Sequence, residues 1–173
     1  MNRRHTASEY LKIIELVRKY CEDIAISSDF IVGHPGETNE DHKKTLDIIN
    51  EVQFASSYSF MYSERPGTKS SEFGEIIDEN IKKIRLYQIQ NKLNHHQLAF
   101  NKNMEGVKFP ILITDKNNNN QFLGRSPYNQ TVYIKEENLP EKKHNKKLIG
   151  LMLNVKIIKS NQNSLLGSFS KNA

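Results

Sequence analysis

Three groups of residues in this 173-residue chain are of types and spacings that could do chemistry. The first is Gly33-His34-Pro35-Gly36-Glu37-Thr38, directly after the apolar run Phe30-Ile31-Val32. Glycines let a backbone approach a ligand closely, and a helix starting at Thr38 would offer free N–H groups. Taken alone, a Gly-Pro-Gly segment is a chain reversal before it is a site. The second group is Tyr62-Ser63-Glu64-Arg65-Pro66-Gly67-Thr68, where Arg65 could pair with a carboxylate or a phosphate, or simply stand in solvent. The third lies further on, in Gly124-Arg125-Ser126-Pro127-Tyr128, in Tyr133, and in the loop Glu141-Lys142-Lys143-His144-Asn145-Lys146-Lys147. Cations and flat rings together suit the phosphates and unstacked bases of RNA. Arg125, Tyr128, Tyr133, Lys142 and Lys143 are the candidates, although a lysine-rich loop is also an ordinary solvated one.

Other reactive types give less. No His, Cys and Asp grouping has metal-ligand spacing, so no metal site and no catalytic residue is assigned. His95 and His96 are adjacent on a helix-forming stretch and do not share a face. Cys21 is the single cysteine, which excludes an internal disulfide and fits a cytoplasmic protein. It reads as a small structural residue rather than a nucleophile.

Charge is divided unevenly. Residues 1–103 hold 14 Lys+Arg against 15 Asp+Glu, and residues 104–173 hold 11 against 5, so the whole net charge of +5 comes from the second part. A localised basic excess is the footprint of a nucleic-acid binder, and equally of a lysine-rich surface. No apolar run is long enough to span a membrane, and no apolar stretch follows Arg3 and Arg4 as a secretory signal would require.

The elements that must position these groups follow two grammars. Thr6-Ala7-Ser8-Glu9 predicts a capping box opening a helix that ends near Tyr20, with Tyr10, Ile13, Ile14 and Val17 at helical spacing. Ile24 to Val32 predicts a largely buried strand. Thr38, with Asp41 three residues on, caps a second helix, and Ala55 to Tyr62 is the next strand. That α-β-α-β rhythm is the mark of a parallel sheet with crossover helices. A long third helix is expected from Asp78 to about Asn103, with Ile81, Ile84, Leu86, Ile89 and Leu93 facing partners. Short strand-like runs follow at Phe109–Thr114, Phe122–Arg125, Thr131–Lys135 and Leu151–Ile158, as in a small all-β barrel. The fold class is therefore α/β followed by all-β, with the domain boundary near residue 104.

These motifs together resemble the C-terminal part of a radical S-adenosylmethionine tRNA methylthiotransferase. Asp-Phe-Ile-Val-Gly-x-Pro-Gly-Glu-Thr at 29–38 is similar to a late strand of that family's barrel, and Tyr62–Thr68 to its Tyr-Ser-x-Arg-Pro-Gly-Thr. The resemblance implies that residues 1–103 are the last strands and helices of a radical-SAM (β/α) barrel, with a linker helix at about 78–103. It implies that Ser28, Asp29, Gly33, Glu37 and Arg65 border the cofactor. His34 stands where the family usually has an apolar residue, and is not read as a ligand or a base. Gly106-Val107, Gly124–Asn129, Ile149-Gly150 and Asn163–Gly167 resemble a TRAM domain, which makes residues 104–173 an RNA-binding β-barrel with tRNA as partner.

The family reaction adds a methylthio group to N6-isopentenyladenosine beside the anticodon, using S-adenosylmethionine and two [4Fe–4S] clusters held by six cysteines. None of those cysteines is here, so neither cofactor is expected to bind stably to this chain alone, and the isolated chain is expected to be inactive. Met1–Thr6 is similar to an internal point of the family sequence. A separately encoded N-terminal portion carrying the cysteines is a possible partner. A stand-alone TRAM-type RNA-binding protein and a nonfunctional gene remnant are the alternatives. A two-strand remnant would also expose a sheet edge and an apolar face.

Overall fold

The computed structural model describes residues 3–73, 77–135 and 148–169. Lys142 and Lys143 lie outside the described residues. The chain divides into two compact units, Met1–His96 and Gln97–Ala173, with the division inside the long helix.

In the first unit the order is α1 (Ala7–Tyr20), β1 (Ser27–Val32), α2 (Asn39–Val52), β2 (Ser56–Met61), a 3-10 turn (Lys69–Glu72) and the start of α3 (Glu79–Lys102). The starts of α1 and α2 are reciprocal capping boxes. Thr6 accepts from the Glu9 N–H while Glu9 accepts from the Thr6 N–H, and Thr38 and Asp41 do the same. Each box satisfies N–H groups that the first helical turn would otherwise leave unpaired. β1 and β2 pair in parallel, Ser27 opposite Ser56 through Val32 opposite Met61, and α2 is the crossover a parallel pair requires.

The core of this unit joins Ile14, Val32, Ile49, Val52, Phe54, Ile89 and Leu93, with Phe30 and Met61 packed against it. The expectation of a largely buried first strand is corrected: within β1 only Val32 is buried, and Ile31 is 38% exposed. The cause is the period of two in a strand. Phe30 and Val32 turn toward the helices, whereas Asp29, Ile31, Tyr58 and Phe60 belong to the alternating exposed positions of the sheet.

Among its described residues the second unit contains the last turns of α3 and five strands: β3 (Lys108–Lys116), β4 (Gln121–Arg125), β5 (Thr131–Lys135), β6 (Met152–Ser160) and β7 (Leu165–Phe169). They close into a barrel in the order β3-β4-β5-β7-β6, which removes sheet edges. All neighbours are antiparallel except β5 and β7. Its interior is filled by Ile111, Ile113, Phe122, Val132, Ile134, Leu153, Val155, Ile157 and Leu165. Two glycines permit this density. A Cβ at Gly124 would collide with Ile111 Cγ2 and stand 2.7 Å from the Leu112 carbonyl oxygen, and one at Gly167 would collide with Val155 Cγ1.

A buried carboxylate turn and a barrel surface as candidate sites

The turn after β1 is built around one side chain. Gly33 at φ 72° and Gly36 at φ 79° adopt the left-handed conformation that glycine reaches without steric cost, and they fold the chain back so that Glu37 lies beneath it. Glu37 Oε2 accepts from the Gly33 N–H, and from the His34 N–H at 3.2 Å. From α3, Arg85 Nη1 donates to the Glu37 carbonyl oxygen at 3.1 Å and lies 3.3 Å from Glu37 Oε1, while its Nη2 donates to Asn39 Oδ1 at 2.9 Å. From α2, His42 Nδ1 lies 3.7 Å from Glu37 Oε1, and the other ring nitrogen hydrogen-bonds Gln88 Oε1 at 2.8 Å. Arg85 and His42 are both buried. The carboxylate therefore binds the turn, α2 and α3 to one another.

A second set of contacts lies at the same strand ends. His34 Nε2 is 3.0 Å from Ser70 Oγ and its Nδ1 is 3.0 Å from the Pro35 carbonyl oxygen. Because a carbonyl only accepts, Nδ1 carries the proton and Nε2 accepts from the Ser70 hydroxyl. The imidazole also meets Tyr62 edge-on at 5.2 Å and Phe73 at 6.5 Å. The buried Tyr62 hydroxyl has no hydrogen-bond partner among the described residues.

Of the residues assigned to the cofactor side, the structure brings only Gly33 and Glu37 together. Ser28 and Asp29 are successive strand residues and face opposite sides of the sheet. Ser28 turns to Tyr10, whose phenol burial pushes up and the Ser28 hydroxyl partly draws back down. Asp29 is exposed. The open space at Gly33 is filled by Lys82, whose Cγ lies 2.5 Å from where a Cβ would stand. Arg65 is exposed, with its carbonyl oxygen accepting from the Thr68 hydroxyl at 2.8 Å. Of these five, no hydrogen bond among the described residues joins any but Gly33 and Glu37. Nor can Cys21 alone hold an iron–sulfur cluster, which several thiolates ligate, and no group of metal-ligating side chains occurs among the described residues. Cys21 itself is exposed rather than structural, and its bond to Asp23 pushes the thiol up from its usual range.

On the barrel, Arg125 is exposed at the end of β4, where Nη1 donates to the Asn129 carbonyl oxygen at 3.1 Å and to Thr131 Oγ1 at 3.0 Å. Tyr128 is half-buried, edge-on to Phe100 at 5.5 Å and to Phe109 at 5.7 Å, so its ring serves the fold as much as any ligand. Tyr133 is half-buried, with Leu123 and Leu166 opposite it on the neighbouring strands. A buried polar chain fixes the loop that carries Tyr128. Asn101, at 2% exposure, donates to the carbonyl oxygens of Asn161 and Gln162 at 2.9 and 2.8 Å and accepts from Gln130 Nε2 at 2.6 Å. Gln130 Oε1 in turn accepts from Ser126 Oγ at 2.8 Å.

Residues 102–169 match the family model of the TRAM domain. Along 168 residues, 96% of its length, the chain is 46% identical to a tRNA-2-methylthio-N(6)-dimethylallyladenosine synthase of Ehrlichia ruminantium strain Welgevonden, of which it covers 36%. The chain resembles a tRNA methylthiotransferase and carries a TRAM domain. Synthases of the same description from Wolbachia pipientis wMel and Anaplasma phagocytophilum strain HZ are 44% and 41% identical, over 96% and 100% of this chain and 37% and 38% of their own. The chain thus spans little more than a third of the length of the curated relatives it matches. A solved multidomain protein with nucleic acid binding domains from Streptococcus pneumoniae covers 41% of this chain and 24% of its own at 16% identity, with a TM-score of 0.32. The TRAM domain is the barrel of β3 to β7, and its motif glycines have structural uses: Gly106 and Gly150 at φ 85° and 90°, Gly124 and Gly167 at the close approaches.

Proposed function

We propose that this chain is the C-terminal portion of a tRNA methylthiotransferase and that its TRAM domain holds tRNA beside the anticodon. The match at up to 46% identity over nearly the whole chain carries this reading, because it joins the α/β unit and the barrel in one known protein type. In that setting the radical S-adenosylmethionine barrel continues beyond this chain. The parallel pair β1–β2, with Asp29, Ile31, Tyr58 and Phe60 at exposed positions, is consistent with strands of a larger sheet that more chain would cover.

The complete enzyme would add a methylthio group to N6-isopentenyladenosine, with S-adenosylmethionine and two [4Fe–4S] clusters supplying the radical chemistry. This chain's residues do not fit a cluster, and no step is assigned to them there. Their contribution is to bind RNA and to hold the strand-end turn. The cysteine-bearing portion is then the partner, and the chain is inactive without it. A second reading, a stand-alone RNA-binding protein in the cytoplasm, is favoured by one observation: the barrel is closed and has its own complete core.

Co-expression tests the first reading. The chain together with an N-terminal segment carrying the cluster cysteines should restore methylthio-adenosine in tRNA, read by mass spectrometry of digested nucleosides, and the chain alone should not. Methylthiolation by the chain alone would contradict the proposal. Its absence from the combination, with RNA binding intact, would favour the stand-alone reading.

A further inference from the structure

One row on the outside of the barrel sets an arginine beside apolar side chains. Across β6, β3, β4 and β5 the residues in register are Met152, Leu112, Arg125 and Thr131. Alternation turns all four outward, since their neighbours Leu153, Ile111, Ile113 and Val132 fill the core. Leu112 is 39% and Met152 60% exposed, and Arg125 next to them is exposed as well.

The guanidinium is held in one attitude. Nη1 donates to the Asn129 carbonyl oxygen and to Thr131 Oγ1, which commits both of its hydrogens. A built loop aims that carbonyl. Asn129 is at φ 63°, and the hydroxyl of buried Ser126 accepts from the N–H groups of Tyr128 and Gln130 at 3.2 and 3.1 Å. Behind the loop, the Gln130 side chain is fixed by buried Asn101. In a planar guanidinium the edge opposite Nη1 consists of Nε and Nη2. That edge is turned away from β5, and its N–H groups have no partner among the described residues.

Two parallel donors suit two phosphate oxygens, or the O6 and N7 acceptors along one edge of guanine. The row decides between them. A phosphate gains nothing from Leu112 and Met152, whereas a base lying flat covers both. With strands about 4.8 Å apart, these two side chains form a platform about as broad as a purine, with the fork at its rim. Adenine would set its amino group against the donors of Arg125, and uracil offers a single acceptor on that edge.

Resting on the reading that the TRAM domain holds RNA, we propose that this outer face seats one unstacked guanine of that RNA. Leu112 and Met152 lie under its ring, and the Nε–Nη2 edge of Arg125 donates to O6 and N7. Arg125 thereby selects a base, where a contact to phosphate would carry no sequence information.

The test uses the full chain and fluorescein-labelled oligouridines of about twelve nucleotides, within the usual range for one small barrel. One central position is guanosine, 7-deazaguanosine or adenosine, and affinity is read by anisotropy across a salt series. Guanosine should bind about tenfold tighter than adenosine, the discrimination usual for one bidentate contact. The 7-deaza analogue, which lacks only the N7 acceptor, should fall between them. Arg125→Lys keeps the charge but loses the fork, so the preference should disappear. Guanosine and adenosine bound alike by the unaltered chain overturn the guanine seat. A salt slope flattened by about 0.7 in Arg125→Gln would then assign the fork to a phosphate. A guanosine preference that survives in Arg125→Lys overturns the role of Arg125. Each of these results leaves RNA binding itself standing. No binding of any of the three at low salt overturns the RNA reading together with the seat.

Discussion

The Arg85 guanidinium lies 3.3 Å from the Glu37 carboxylate, and with 7% and 13% of their side chains exposed the two form a nearly dry ion pair. Glu37 also receives the N–H groups of Gly33 and His34. A glutamate that the family resemblance places at the cofactor thus acts as the internal brace of the turn.

Removing that brace has a specific signature. Glu37→Ala leaves Arg85 charged and buried, and breaking a buried pair from one side costs about 3–5 kcal/mol. Arg85→Met leaves Glu37 with its two backbone donors and should cost less, about 1–3 kcal/mol. Hydrogen exchange followed by mass spectrometry checks both the order and the place. The Gly33 and His34 amides should lose protection in Glu37→Ala and keep most of it in Arg85→Met. Equal loss in the two would assign the turn's stability to something other than the carboxylate.

The segment after Arg65 has its own tether. Ser70 donates to His34 Nε2, and His34 is flanked by Tyr62 and Phe73. Ser70→Ala should cost about 1 kcal/mol, the net worth of one hydrogen bond, and His34→Phe should keep the ring packing while losing the bond. Both should raise the rate of tryptic cleavage at Lys69 similarly. Faster cleavage in His34→Phe than in Ser70→Ala would show that the imidazole does more than accept from Ser70.

Acid should loosen two helix caps and one contact at the end of β6. Bonds to Thr6, Thr38 and Ser160 hold the carboxyls of Glu9, Asp41 and Glu105 below their usual range. A carboxylate depressed in the fold contributes stability that is fully present above its unfolded value, about 4, and is lost as pH falls through the lower folded value. Helix content followed by circular dichroism should therefore hold at pH 5 and decline below about 4. In a Thr6→Val, Thr38→Val double variant the helix content should already be lower at pH 5, and its acid response should be flatter. An unchanged acid response in that variant would remove the caps from the explanation.

Much of the fold is legible in local signals. The capping boxes at Thr6 and Thr38 mark the starts of α1 and α2, and β3 to β6 fall on the expected apolar alternations. The third helix shows where periodicity misleads. Helical spacing aims Ile81 and Ile84 at partners, yet they are 44% and 58% exposed, while Arg85, Ile89 and Leu93 form the buried i, i+4, i+8 row. An arginine in that row reads as polar until its partner is known, and Glu37 lies 48 positions away. β7, Leu165–Phe169, is not among the expected strands, because its segment is read only as part of a motif, and Gly167 there is the residue whose missing side chain lets Val155 pack. At the candidate site, motif matching places Ser28 and Asp29 together, but strand alternation separates them. Glu37 and Arg65 belong to the matched motifs, but only the three-dimensional contacts show that one is enclosed and the other exposed.

Central to this account is that RNA is held by the barrel through its cations. The most direct measurement is the affinity of the full chain for a tRNA anticodon stem-loop carrying the adenosine, titrated with salt. Binding that weakens linearly in log affinity against log salt is the predicted result. No binding at low salt, or binding indifferent to salt, would contradict it.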